Sequence, residues 1–273
     1  MPELPEVETV VVTLKGLIAN RMIVSIDVLY PKIIDGDIDV FKNKLINKRF
    51  TGFNRKGKYG LYTLEDTILV VHLRMEGRFY LHPSSHPYSK HTHVVFHLDD
   101  GMALHYHDTR KFGRLKISSL ESVDQDLSHL GIEPLDAKLT AKMLKQLAKG
   151  RRISLKAFLL DQRFVAGIGN IYADEICFES KIHPCQSVAT CSDKDWRRIK
   201  KAIPYVIEQA ILQGGTTIRS YTSSLGVSGR FQMQLKVHTL QNQPCQVCQT
   251  LIVKIRCAGR GTYLCPQCQK VKT

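Results

Sequence analysis

Four of the chain's eight cysteines fall as Cys245-x2-Cys248-x16-Cys265-x2-Cys268, and no other feature restricts so closely what this end of the molecule can become. Two CxxC knuckles at that separation match a tetrahedral four-thiolate zinc site carried on two turns. Thiolates are soft ligands, and the segment has too few apolar residues to fold unaided, so metal binding would supply its folding energy. A pair of disulfides is the alternative. The N-terminus argues against it, because MPELPEVETV carries Glu3, Glu6 and Glu8 where a secretory signal carries basic residues, and disulfides are rare in the cytosol. With all four positions filled by protein, the expected site is closed and structural, one zinc ion per chain. Between the knuckles, residues 254–263 hold Arg256 and Arg260 beside Gly259 and Gly261, so a metal-pinned hairpin would offer an arginine at its tip to a groove or a phosphate. Cys177, Cys185, Cys191 and Cys257 follow no such pattern and read as free, mostly buried thiols.

Charge points toward a polyanionic partner. Lys and Arg number 39 against 25 Asp and Glu, a formal charge of +14. From Gln209 to Thr273 there is no acidic residue, while eight bases supply +8 of that total. Further basic runs are Lys142 to Lys156, with Lys145, Lys149, Arg151 and Arg152, and Arg55-Lys56-Gly57-Lys58. Clustered cations favour polyanions because each phosphate contact releases condensed counterions; ordinary solvated lysine is the competing reading for any one run. No run approaches the roughly 18 apolar residues of a membrane span, and no basic amphipathic helix with an aromatic face is apparent. The expectation is nucleic acid rather than membrane, in a cytoplasmic protein.

At 273 residues the chain is long enough for about two domains. Val7, Val10, Val11, Leu14 and Ile18 recur at helical spacing over residues 5–19. Short apolar or alternating runs follow at 23–29, 50–54, 59–64, 68–73, 79–81, 94–98 and 102–106, the last two separated by the turn signal Asp99-Asp100-Gly101. Beyond Lys116 the texture becomes helical, at 139–147, 154–160, 171–179 and 193–212, with Ser154 and Asp193 or Ser192 as N-caps and a break or bend at Pro204. Short strands return around the cysteines. The expected class is α+β: an N-terminal β-sandwich with a flanking helix over 1–118, a helix–two-turns–helix domain over 119–231, and a zinc-finger hairpin over 232–273.

Two further features have possible chemistry. Val165-Ala166-Gly167-Ile168-Gly169-Asn170 leads into a helix, where glycines let the backbone approach an anion and unpaired N–H groups face it; a plain tight turn satisfies the same pattern. Pro2 follows Met1, and a small second residue permits removal of the initiator, which would free a secondary amine able to attack the aldehyde carbon of a sugar. Taken alone, Pro and Glu near a helix start are ordinary.

The opening MPELPEVETV, His72-Leu73-Arg74-Met75-Glu76-Gly77, Asp108-Thr109-Arg110-Lys111-Phe112-Gly113, Val165 to Tyr172, and the cysteine hairpin with Gly259-Arg260-Gly261-Thr262 occur in that order. Together they span the chain and closely resemble the formamidopyrimidine-DNA glycosylases, bacterial enzymes that remove oxidised purines such as 8-oxoguanine. The resemblance implies a monomeric bifunctional DNA glycosylase and AP lyase of base excision repair, acting on double-stranded DNA. It implies that Pro2 forms a Schiff base with C1′, that Glu3 assists ring opening, that Lys58 supports base loss and β-elimination, and that Arg260 grips phosphate and assists δ-elimination. Extruding a base leaves a gap to be filled, and Met75, Arg110 and Phe112 match the family's wedge. Without the family, Met75 and Phe112 read as strand-end core residues. His72, His91, Arg151 and Asn170 match DNA-contacting positions. Residues 214–229, with Arg219 and Tyr221, correspond to the segment that closes over the flipped base, with Glu6 beside it. Val11-Val12, Gly60, His238 and Cys257 depart from common family residues. An endonuclease VIII-like enzyme acting on oxidised pyrimidines is the nearest rival, disfavoured by PELPE and by Arg110-Lys111-Phe112. A non-enzymatic zinc-finger DNA-binding protein would keep the basic tail and finger without needing Pro2.

Overall fold

The computed structural model describes residues 1–216 and 231–271. Two compact units divide the chain: Met1–Ser128 with Gly214–Gly229, of which 214–216 are described, and His129–Gln213 with Arg230–Thr273.

The first unit begins with α1 (Leu4–Ile18), which has Pro5 and Glu6 in its first turn and Lys15 in its last, each favourable at that end of a helix. Its buried stripe is Val7, Val10, Val11, Leu14 and Ile18. Val11 therefore belongs to the core, and Val12 alone of that pair lies on the surface. The strands are β1 (Ile23–Val28), β2 (Ile34–Asp35), β3 (Phe50–Lys56), β4 (Tyr59–Leu64), β5 (Thr67–His72), β6 (Arg78–Pro83), β7 (Thr92–Leu98), β8 (Met102–His107) and β9 (Arg114–Ser119). They form a four-stranded sheet, β1-β7-β8-β6, and a five-stranded sheet, β2-β9-β5-β4-β3. All pairings are antiparallel except β2 with β9. Alternation turns Phe79, Val94, Phe96, Leu104 and Tyr106 of one sheet, and Phe50, Tyr62, Leu64, Leu69, Val71 and Leu115 of the other, into a single core shared with α1 and with α2 (Ile38–Leu45). Asp37 caps α2 by accepting from Val40 N–H at 2.9 Å. A short α3 (Val123–Asp126) closes the unit.

In the second unit, α4 (Ala141–Ala148), α5 (Leu155–Leu160), α6 (Asn170–Glu179) and α7 (Asp193–Leu212) follow one another. Thr140, Ser154 and Ser192 cap α4, α5 and α7 through their hydroxyls. Helix α7 continues as one element through Pro204 rather than breaking there. The finger is a two-stranded hairpin, β10 (Val253–Cys257) with β11 (Arg260–Leu264). Ala258 and Gly259 form its two-residue turn at φ +51° and +71°, the left-handed pair a tight hairpin of this twist requires.

Candidate active site and nucleic-acid interface

Pro2, half-buried, stands just before Glu3, the N-cap of α1. Glu3 and Glu6 are buried, and Glu6 Oε2 accepts from Glu3 N–H at 2.8 Å. Lys58, also buried, occupies the turn between β3 and β4, the hairpin that packs on α1. Arg55 fastens that turn to the helix: its Nε donates to Glu8 Oε2 at 2.8 Å and its Nη1 to the Gly57 carbonyl at 3.0 Å. Gly57 takes φ +56°.

His72, at the end of β5, lies edge-on to Tyr59 with centroids 4.5 Å apart, and its Nδ1 accepts from Arg74 N–H at 3.0 Å. Burial, with the positive charges of Arg74 and Lys58, pushes its pKa down to about 3, so the ring is neutral at neutral pH.

Met75 and the Arg110–Phe112 stretch sit on two neighbouring loops. Met75 is 37% and Phe112 49% exposed, so the reading of these two as strand-end core residues fails. Arg74 and Lys111 adopt φ +53° and +60°, which turns each loop outward at its tip. Fully buried Asp108 builds the second loop: its Oδ1 accepts from Arg110 N–H at 2.9 Å and its Oδ2 from Gly113 N–H at 2.8 Å. The Arg110 guanidinium rests over the Phe112 ring, 4.7 Å from its centroid. The Thr109 hydroxyl donates to Glu76, joining the two loops. Both end on glycines for the same reason: a Cβ on Gly77 or Gly113 would meet the Tyr106 hydroxyl at 2.4 or 1.7 Å. Two exposed apolar side chains and a guanidinium thus stand on a pair of hydrogen-bonded loops. His91 lies on the partly exposed approach to β7, its N–H on Ser89 Oγ at 3.2 Å.

In the second unit, Gly169 caps α6, and Asn170 is the first helical residue rather than the cap. Asn170 Nδ2 donates to the Gly261 carbonyl at 3.2 Å, and its buried Oδ1 has no partner. Arg260, exposed, opens β11 immediately before that glycine. Lys156 supports the same strand: fully buried, its Nζ donates to Asp174 Oδ1 at 2.7 Å, Thr262 Oγ1 at 2.8 Å and the Gly261 carbonyl at 3.0 Å. Asp174 also meets His238 Nδ1 at 2.8 Å and Tyr263 N–H at 3.2 Å. This network escaped the sequence reading, in which Lys156 was one more residue of a basic run. Arg151 is held by its Nε on the Leu147 carbonyl at 2.9 Å and by its guanidinium 4.6 Å from the Phe164 ring centroid. Arg219 and Tyr221 lie outside the described residues.

The four finger sulfurs lie within 4.8 Å of one another, with Cys248–Cys265, Cys248–Cys268 and Cys245–Cys268 at 3.4, 3.5 and 3.9 Å. A tetrahedral ion with Zn–S bonds of about 2.3 Å places its sulfurs about 3.8 Å apart, so the donor set fits. Val247 and Cys268 N–H groups point at Cys245 and Cys265 Sγ, at 3.5 and 3.4 Å, as in metal knuckles. No helix among the described residues is long and apolar enough to cross a membrane.

A two-sheet unit with a buried carboxylate pair at its leading helix, a four-helix region and a four-cysteine hairpin follow one another in the domain order of the zinc-finger DNA glycosylases. Family models match in that order: the formamidopyrimidine-DNA glycosylase N-terminal domain over residues 1–115, the formamidopyrimidine-DNA glycosylase H2TH domain over 130–222, and the zinc finger found in FPG and IleRS over 242–271. The chain belongs to the formamidopyrimidine-DNA glycosylase family. It is 41% identical to the formamidopyrimidine-DNA glycosylase of Listeria monocytogenes, covering 99% of this chain and 100% of that one. It is 35% identical to Lactococcus lactis Fpg in two solved complexes, each with a TM-score of 0.93. One holds DNA containing an abasic site and covers 98% of this chain and 99% of that one. The other holds DNA containing N7-benzyl-Fapy-dG and covers 98% and 100%.

Proposed function

We propose that this protein excises oxidised purines, 8-oxoguanine and formamidopyrimidines, from double-stranded DNA and then cuts the strand at the resulting abasic site. Once Met1 is removed, the Pro2 nitrogen attacks C1′; the C1′–N bond to the damaged base breaks, and Glu3 delivers a proton to the sugar ring oxygen as the ring opens. The resulting iminium draws electrons from C2′, loss of a proton there expels the 3′-phosphate, and a second elimination expels the 5′-phosphate. Lys58 supports base departure and the first elimination; Arg260 holds phosphate for the second. Met75, Arg110 and Phe112 fill the place of the extruded base, while His72, His91, Arg151 and Asn170 hold the DNA. Glu6, Arg219 and Tyr221 serve the segment over the base. One zinc ion on Cys245, Cys248, Cys265 and Cys268 holds the finger and takes no part in the chemistry. The domains are those at 1–118, 119–231 and 232–273, and the enzyme works as a monomer in the bacterial cytoplasm.

The observation that carries this reading is the pairing of exposed Met75 and Phe112 on two loops tied by Thr109 and Glu76, apolar side chains of the kind that enter a base stack opened by extrusion. Nicking of matched duplexes containing 8-oxoguanine, thymine glycol or no lesion tests it. Preferential nicking at 8-oxoguanine is expected; preference for thymine glycol would make the enzyme endonuclease VIII-like, and binding without nicking would make it a DNA-binding protein only.

A further inference from the structure

The outward face of the β1-β7-β8-β6 sheet is unusual for a sheet exterior. Alternation places Tyr80 and His82 of β6, His97 of β7, and His105 and His107 of β8 on it, opposite the core face that holds Phe79, Phe96, Leu104 and Tyr106. The connection from β6 to β7 folds over this face and brings His86 and Tyr88 onto it. Tyr88 is pinned there, its hydroxyl donating to Asp27, whose Oδ2 also meets His97 Nε2 at 3.0 Å. Beneath this connection His105 is 1% exposed, and neither of its ring nitrogens has a hydrogen-bond partner. A buried imidazole with both nitrogens orphaned is a standing cost unless something occupies one of them.

We propose that His82, His86 and His105 form a second metal site, exchangeable and distinct from the finger, for a borderline divalent transition ion of the Zn2+, Ni2+ or Cu2+ class. Imidazoles bound at about 2.0–2.1 Å hold their centroids about 3.2 Å from the ion, so two such rings stand roughly 4.5–5.2 Å apart between right-angled and tetrahedral geometry. The observed centroid separations are 5.1 Å for His82–His105, 5.9 Å for His86–His105 and 4.0 Å for His82–His86. The last pair is stacked at 14° between planes, so the nitrogens do not yet converge, and the four finger thiols are the only converged donor group among the described residues. Closing the site requires the exposed His86 to turn out of its stack on His82 until its ring plane contains the ion, a side-chain rotation of the kind exposed residues make freely.

The test uses the full-length protein with its finger already zinc-loaded, titrated with Co2+ and followed by absorption, calorimetry and metal analysis. A second metal equivalent is expected, with visible d–d bands and no thiolate charge-transfer band. His86→Ala, on the exposed connection, should weaken binding at least about tenfold, and His82→Ala with His86→Ala should abolish it while the circular dichroism spectrum and melting of the protein loaded at the finger alone stay unchanged. No second equivalent in the wild type, a thiolate band, or binding that survives in the double variant would overturn the proposal.

Discussion

Glu6 and Thr216, 210 residues apart in sequence, are joined by two hydrogen bonds to one carboxylate oxygen: Glu6 Oε1 accepts from the Thr216 N–H at 2.8 Å and from its hydroxyl at 3.1 Å. The other oxygen holds Glu3 N–H. One buried side chain therefore fixes both the first turn of α1 and the point where the chain leaves Gly214–Thr216. Gly215 makes room for it, at φ +76° with a would-be Cβ 2.6 Å from Glu6 Oε1. Gly215→Ala should lower stability by more than the roughly 1–2 kcal/mol of the left-handed backbone alone and slow 8-oxoguanine excision. Gly150→Ala, at the same φ but with nothing within 4 Å, should show the backbone cost only. Equal melting shifts for the two would mean that the Glu6 contact is of no consequence.

Lys156→Met should be more damaging than loss of a surface lysine. Lys156 and Asp174 are both fully buried, and removing the lysine leaves the Asp174 carboxylate with only His238 and the Tyr263 N–H beside it, a loss of up to about 3–5 kcal/mol. Lys156→Met combined with Asp174→Asn should recover part of it. Denaturant unfolding of the single and double variants measures the coupling, and simple additivity would contradict it.

Gly113→Ala should displace the Arg110–Phe112 loop, because its Cβ would lie 1.7 Å from the Tyr106 hydroxyl oxygen. Adding Tyr106→Phe removes that atom and leaves Cζ at 2.9 Å, so excision should be partly restored in the double variant. A single variant with wild-type excision would show that the loop does not depend on this contact.

His72 predicts a stability slope in mild acid. Unfolded, it titrates near 6.5; folded, burial followed by Arg74 and Lys58 push it to about 3. Protons therefore favour the unfolded chain, and the stability held above about pH 6.5 falls as pH drops toward 3, by up to roughly 1.4 kcal/mol per pH unit. In urea titrations between pH 6.5 and 4.5, His72→Gln should show a shallower slope than wild type. Parallel slopes would assign the acid sensitivity elsewhere.

Much of this architecture was legible before any coordinates. The stripe Val7 to Ile18 specified α1, strict alternation marked β4, Asp99-Asp100-Gly101 marked the β7–β8 turn, and cysteine spacing marked the finger. What escaped had physical reasons. Helix α2 has only two buried side chains, Phe41 and Leu45, too few to establish a period. Strand β9 carries Arg114 and Lys116 because one of its faces is solvated, so it read as a boundary. At the site, residue types could nominate Pro2, Glu3, Lys58 and Arg260, and family pattern could nominate Met75 and Phe112. The supports could not be nominated: Asp108, Tyr106, Thr216 and the Lys156–Asp174 pair act through contacts between residues far apart in sequence, and burial alone distinguishes Lys156 from its solvated neighbours.

The central claim is that the Pro2 nitrogen, freed by removal of Met1, becomes covalently attached to the sugar. Borohydride trapping on an abasic-site duplex, with the N-terminus of each sample read by mass spectrometry, tests it directly. Protein beginning at Pro2 should yield one cross-linked species whose mapped attachment is Pro2, and protein retaining Met1 or acetylated at Pro2 should yield none and should not nick. Undiminished nicking by the capped protein, or a cross-link mapped to Lys58, would contradict the account.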